Sequence, residues 1–224
     1  MKIVARFAFL LALHVSLVEA QVPADKFVYL HKVIPTIKLD MRYFSTDNFM
    51  GTRVDGYKRN VALFTHEAAT ALKKVQFELE KDGMGLKVFD SYRPQKGVNH
   101  FIRWAKVLAD TLTKQKYYPD VRKADLFDLG YIAERSGHTR GSTLDLTVVK
   151  LESGLELDMG APWDFFGEIS HHGTNLINKQ QQANRDILSN VMKKFGFRYY
   201  PNEWWHYTLE NEPFPDTYFN FNIE

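Results

Sequence analysis

Ser136-Gly137-His138-Thr139-Arg140-Gly141-Ser142-Thr143-Leu144-Asp145-Leu146-Thr147-Val148-Val149 is the stretch on which the reading of this chain turns. Its second half alternates. Leu144, Leu146 and Val148 fall on one side of a strand, and Thr143, Asp145 and Thr147 on the other. Asp145 therefore faces away from the apolar side. Gly137 and Gly141 bracket His138, so the backbone ahead of the strand can turn tightly and present the ring. Glu203-Trp204-Trp205-His206 supplies a second imidazole and a second carboxylate. A catalytic zinc site needs three protein ligands, an open position for water and a base. The two stretches offer that inventory, with His138, Asp145 and His206 as ligands and Glu203 as base. Their order, H-x6-D and then E-x2-H, is not the H-E-x-x-H helix of common zinc proteases. Each stretch alone has a plainer alternative: a loop histidine beside a threonine-satisfied aspartate, or an edge strand with a tryptophan pair.

Working outward, Thr36 to Tyr43 alternates and predicts a strand, and 45–60, with Gly51 and Gly56, predicts a long loop. Thr65 reads as the N-cap of a helix carrying Ala69, Leu72, Val75 and Leu79 up to Asp82-Gly83. Leu86 to Tyr92 predicts a strand stopped by Pro94. Val98, Phe101, Ile102, Ala105, Leu108 and Leu112 form one helical stripe. A further helix is expected over about 179–195, closed by Gly196, and a last strand over 204–209. In that strand Glu203 and His206 would point to opposite faces unless a turn or bulge at Pro201-Asn202 re-aims Glu203. The expected fold is α+β, a single domain with a mainly antiparallel sheet and helices packed on one side.

The 224 residues suit one well-packed domain, and a net charge of +2 gives no support to nucleic-acid binding. Lys2 and Arg6, the apolar run Phe7 to Val18, and Val18-Glu19-Ala20 read as a cleaved secretory signal over residues 1–20. The domain would then be 21–224, periplasmic or secreted. No later stretch is apolar enough for a membrane span. The absence of cysteine removes disulfides, a thiolate nucleophile and cysteine-ligated zinc. There is no G-x-S-x-G elbow or Walker loop, which disfavours serine-hydrolase and nucleotide chemistry. Arg93, in Asp90-Ser91-Tyr92-Arg93-Pro94, has two readings: a structural salt bridge, or a guanidinium for an oxyanion or a carboxylate. His171-His172, being adjacent, are read as structural or supporting.

Together, S-x-H-x-x-G-x-x-x-D and E-W-W-H resemble the zinc D,D-peptidases, and among them the D-alanyl-D-alanine dipeptidases of the VanX type. The likeness extends through Leu39-Asp40-Met41-Arg42-Tyr43, Asp47-Asn48-Phe49, Asp90-Ser91-Tyr92-Arg93-Pro94, Leu157-Asp158-Met159-Gly160 and Ser170-His171-His172, from about residue 27 to 210. The resemblance implies one zinc held by His138, Asp145 and His206, Glu203 as general base and then acid, and Arg93 on the oxyanion. It implies Asp164 on the substrate's ammonium, with Ser136 and Tyr43 or Tyr57 as further substrate contacts. The implied reaction is hydrolysis of the D-Ala-D-Ala dipeptide in cell-wall turnover. Action on peptidoglycan stem peptides, or a non-catalytic zinc- or wall-binding role, are the alternatives. Two departures stand out. Thr143 takes the place of the family's usual alanine and could crowd the site. The leader-like N-terminus contrasts with resistance-type members, which act in the cytoplasm.

Overall fold

The computed structural model describes residues 23 and 25–224. In order, these form β1 (Phe27–Tyr29), α1 (Leu30–Val33), β2 (Lys38–Leu39), β3 (Leu63–Thr65), α2 (His66–Glu80), β4 (Met84–Asp90) and α3 (Gln95–Lys106). There follow α4 (Lys114–Tyr117), β5 (Thr143–Lys150), α5 (Lys179–Lys194), β6 (Phe197–Tyr200) and β7 (Glu203–Leu209). The signal sequence expected over 1–20 lies outside the described residues. No helix among those described is long and apolar enough to cross a membrane.

The alternating stretch 143–149 becomes the central strand of a five-stranded sheet ordered β2-β4-β5-β7-β6. In this sheet only the β2–β4 pair is parallel; β4–β5, β5–β7 and β7–β6 are antiparallel. β1 and β3 form a separate antiparallel pair. The architecture is the expected α+β. β5 is buried on both faces as far as Val149, because its apolar side enters the core and its polar side forms the floor of a site. α2 and α5 pack against each other and against β4 and β6, burying the predicted Ala69, Leu72, Val75 and Leu79 of α2 and Leu188, Val191 and Met192 of α5. α5 opens with a capping box in which the Asn178 side chain accepts from Gln181 N–H and Gln181 answers the Asn178 N–H.

Three local expectations change. The strand expected over 36–43 pairs only at Lys38–Leu39, since residues 42–44 coil into a 3-10 turn that swings Tyr43 into the interior. The stripe from Val98 ends at Ala105. Leu108 and Leu112 keep helical spacing but lie beyond α3, 57% and 83% exposed, because Phe49, Trp104 and Tyr118 already fill the core there. Thr65 occupies the N-cap position of α2, yet its hydroxyl bonds Ser142 Oγ at 2.7 Å, tying β3 to the turn that precedes β5.

Candidate metal centre and cleft

Strand register builds the site. Asp90 at the end of β4 lies opposite Asp145 of β5, which lies opposite His206 of β7. Cross-strand partners project to one face, so a single row across the sheet carries two carboxylates and an imidazole. His138 joins from the 3-10 turn Gly137–Arg140, which Gly141 closes with φ 83. Glycine is required there twice over. The left-handed backbone disfavours a side chain, and an added Cβ would come within 2.3 Å of Phe27.

His138 Nε2, Asp145 Oδ1 and His206 Nδ1 form a triangle. Its sides are 3.3 Å between the imidazoles, 3.3 Å from His138 to Asp145, and 3.2 Å from His206 to Asp145. Zinc with bonds of ~2.0–2.1 Å in a tetrahedron has ligand–ligand edges of about 3.3–3.4 Å. The triangle thus has the dimensions of one tetrahedral face. Asp145 Oδ1 is buried and accepts no hydrogen bond, a position that a cation would satisfy. His138 Nδ1 donates to the Ser91 carbonyl at 2.8 Å, which holds its proton there and leaves the Nε2 lone pair facing the other two ligands. The residues fit a zinc ion.

The electrostatics agree. Burial alone would lower the His206 pKa, but the adjacent Asp145 and Glu203 carboxylates, each 3.2 Å away, outweigh it and raise it to about 9. Burial would raise that of Asp145, yet His138 and His206 hold it well below the usual carboxylate range. A proton on His206 stands where a metal would otherwise neutralise these carboxylates.

Glu203 Oε2 lies 3.2 Å from His206 Nδ1. The two share a side of β7 because the β6–β7 hairpin shifts register between Tyr199 and Tyr200, leaving Tyr200 opposite Glu203. The irregularity falls within β7, between Glu203 and Tyr207, and not in the turn through Pro201-Asn202 itself. Arg93 makes the salt bridge of its first sequence reading and also reaches the cleft wall. Its Nε and Nη2 lie 3.0 and 2.9 Å from Asp90 Oδ2, and it also borders the cleft, with Nη2 3.9 Å from Asp145 Oδ2. Its guanidinium lies against the rings of Tyr43 at 5.1 Å and Phe101 at 4.8 Å, which also touch each other at 5.0 Å.

Asp164 borders the same cleft, only 5% exposed. It is the non-glycine residue with positive φ (59) among those described, a backbone strain that concentrates at functional sites. It accepts from Tyr43 Oη at 2.7 Å and makes no ion pair among the described residues. Burial, and then the charge of Asp145, push its pKa well above the ordinary value. The cleft encloses about 320 Å³, at the small end of the ~300–1,000 Å³ typical of small-molecule sites. Ser136 also lines it and accepts from the His138 N–H at 3.3 Å.

Residues 23–224 match the family profile described as D-ala-D-ala dipeptidase. The chain belongs to that family. Among its relatives, a D-alanyl-D-alanine dipeptidase of Enterococcus faecalis is 43% identical over 88% of this chain and 98% of that protein. One of Streptomyces coelicolor has the same identity and coverage. One of Escherichia coli is 30% identical over 79% of this chain and 81% of its own.

Within this dipeptidase-family site the structure also reassigns residues. Tyr57, expected to contact substrate, does not line the cleft. It is fully buried and its hydroxyl donates to Asp90 at 2.6 Å, behind Arg93. Asp90 and Trp163 are functional neighbours that the sequence reading misses. Asp90 gathers Arg93, Tyr57 and, at 3.5 Å, His138 Nδ1. Trp163 Nε1 donates to Asp145 Oδ2 at 3.3 Å and steers the other oxygen toward the imidazoles. The signal for Asp90 was its place three residues before Arg93; Trp163 gave none beyond its neighbour Asp164. Thr143 turns its hydroxyl to Thr208 Oγ1 at 2.9 Å and stays out of the cleft wall, so it does not crowd the site. His172 packs on Tyr199 and the His171 carbonyl accepts from Arg185, both structural roles.

Proposed function

We propose that this protein hydrolyses the D-alanyl-D-alanine dipeptide to two molecules of D-alanine with one zinc ion per chain, and that it does so outside the cytoplasm in turnover of cell-wall dipeptide. The observation that carries the reading is the zinc-sized triangle of His138, Asp145 and His206 with Glu203 beside it. Zinc held by these three residues would polarise the substrate carbonyl and bring the pKa of water down to roughly 7. Glu203 takes the proton of the attacking water and delivers it to the leaving amine. Arg93, oriented by Asp90, pairs with the negative charge that develops on the carbonyl oxygen. Asp164, with Tyr43 holding it in place, receives the substrate's ammonium, and that cation relieves the crowding of buried negative charge. Ser136 borders the reacting centre. A stem peptide would have to carry an acyl chain past Asp164, where the buried carboxylate asks for an ammonium instead. The names of the relatives support the substrate, and the leader-like pattern of residues 1–20 supports export.

The test is release of D-alanine from D-Ala-D-Ala by residues 21–224. Activity should vanish on chelation and return with zinc. Glu203→Gln should keep its zinc yet turn over ~10²–10⁴-fold more slowly. Undiminished turnover after chelation would refute the reading.

A further inference from the structure

Asp164, the metal ligands, Glu203 and Arg93 account for the ammonium end of a dipeptide and for its scissile bond, but not for its free carboxylate. An anchor for that carboxylate rests on the reading of the cleft as a dipeptide site.

Register gives the cleft a direction. Two residues along from the row that contains Asp145 and His206, a second row on the same face is formed by Thr143, Thr208 and Arg198 of β5, β7 and β6. One strand spacing of ~4.8 Å and two residues of rise place the Arg198 backbone about 8 Å from that of His206, a gap an arginine side chain spans. Asp164 lies on the other side of the metal ligands. Its neighbour Trp163 stacks on Phe89, and Ala161 accepts from Trp204 Nε1 at 3.1 Å. Trp204 is two residues from His206 in the direction opposite to Thr208. The metal ligands therefore stand between a buried carboxylate and an arginine, and both of these border one cleft.

Charge at the arginine end is not balanced within the site. Arg140 grips Glu212 through two contacts of 2.8 and 2.7 Å. Arg198 reaches the same carboxylate only at 4.0 Å and its side chain is 51% exposed. Arg135, also in the cleft wall, stacks on Tyr218 at 5.0 Å and makes no ion pair among the described residues. A zwitterion whose ammonium sits on Asp164 and whose amide sits at the metal ligands sends its carboxylate toward these two guanidinium groups.

We propose that Arg198, backed by Arg135, is a specificity-determining residue that reads the free carboxylate of the departing residue. The cleft then recognises a peptide that is unblocked at both ends, with the anion read by the β6 arginine.

The test compares D-Ala-D-Ala with D-alanyl-D-alaninamide in the zinc-loaded wild type and in Arg198→Gln. Binding of the same two compounds is measured by titration calorimetry in a Glu203→Gln background, which separates affinity from turnover. The wild type should favour the acid over the amide by about tenfold or more, the value of one charge-assisted hydrogen-bond pair. Arg198→Gln should erase most of that preference by raising KM and Kd for the acid while leaving kcat, and Arg198→Lys should restore part of it. The side chain is exposed, so the substitution leaves the core intact. An acid-to-amide preference unchanged by Arg198→Gln, in an enzyme that does cleave D-Ala-D-Ala, overturns this assignment alone. Cleavage of neither compound by the wild type overturns the dipeptidase reading and this assignment with it.

Discussion

Asp145 Oδ1 has two imidazole nitrogens within 3.3 Å and no hydrogen bond, and this single atom explains most of the local electrostatics. Without metal, the proton on His206 compensates it. Because the folded pKa of His206, about 9, exceeds its unfolded value of 6.5, that proton stabilises the metal-free fold fully below pH 6.5, and the contribution is lost as pH rises through about 9. Zinc must displace the same proton. The stabilisation that zinc adds should therefore grow between pH 6.5 and 9, read as the difference in calorimetric Tm between loaded and metal-free protein; a constant difference would contradict the assignment of His206 as a ligand. Asp164 behaves oppositely. Its raised pKa means that the ionised carboxylate costs stability at neutral pH. Asp164→Asn should make the ligand-free protein more stable while raising KM for D-Ala-D-Ala about tenfold or more. The cluster of His138, Asp145 and His206 with Glu203 beside it was legible in the sequence because few residue types can hold a metal or act as a base and each lies in a short local pattern. Asp90 and Trp163 were not, because they act only through strand pairing and a contact between distant segments.

At the scale of elements, two devices aim the chemistry. The first is the turn Gly137–Arg140, closed by Gly141 against Phe27. Gly141→Ala combines a disfavoured φ with a clash on a buried ring, so it should cost more than ~1 kcal/mol and weaken zinc affinity through His138. Denaturant midpoints and metal titration would check both. The second device is the β6–β7 hairpin, whose register shift brings Glu203 onto the side of His206. The need for such a shift could be read from the i,i+3 spacing within a strand. β6 itself could not be read, since Phe197-Arg198-Tyr199-Tyr200 is short and is buried only at its first residue. The end of α3 was likewise hidden. Leu108 and Leu112 preserve helical spacing past Lys106, and only the filled core around Trp104 decides that they stay outside.

Across the whole molecule, the site is held together by its C-terminal segment as well as by the sheet. Phe219 N–H donates to the Thr139 carbonyl beside His138, and Gln95 N–H donates to the Phe219 carbonyl just after Arg93. Tyr92 Oη adds a bond to the Phe221 carbonyl, and their rings stack at 4.2 Å. One strap thus joins the turn bearing His138 to the loop bearing Arg93. Phe219→Pro, which removes the N–H, should lower stability by about 1 kcal/mol or more and reduce kcat more than it raises KM. Equal loss in both constants would make the strap a matter of stability alone. The most direct test of the proposed chemistry is D-alanine release by the zinc-loaded protein from D-Ala-D-Ala and from its N-acetyl derivative. Hydrolysis of the free dipeptide with refusal of the blocked one is the result expected from zinc ligands beside Glu203 and an ammonium site at Asp164. Equal hydrolysis of both would contradict that arrangement.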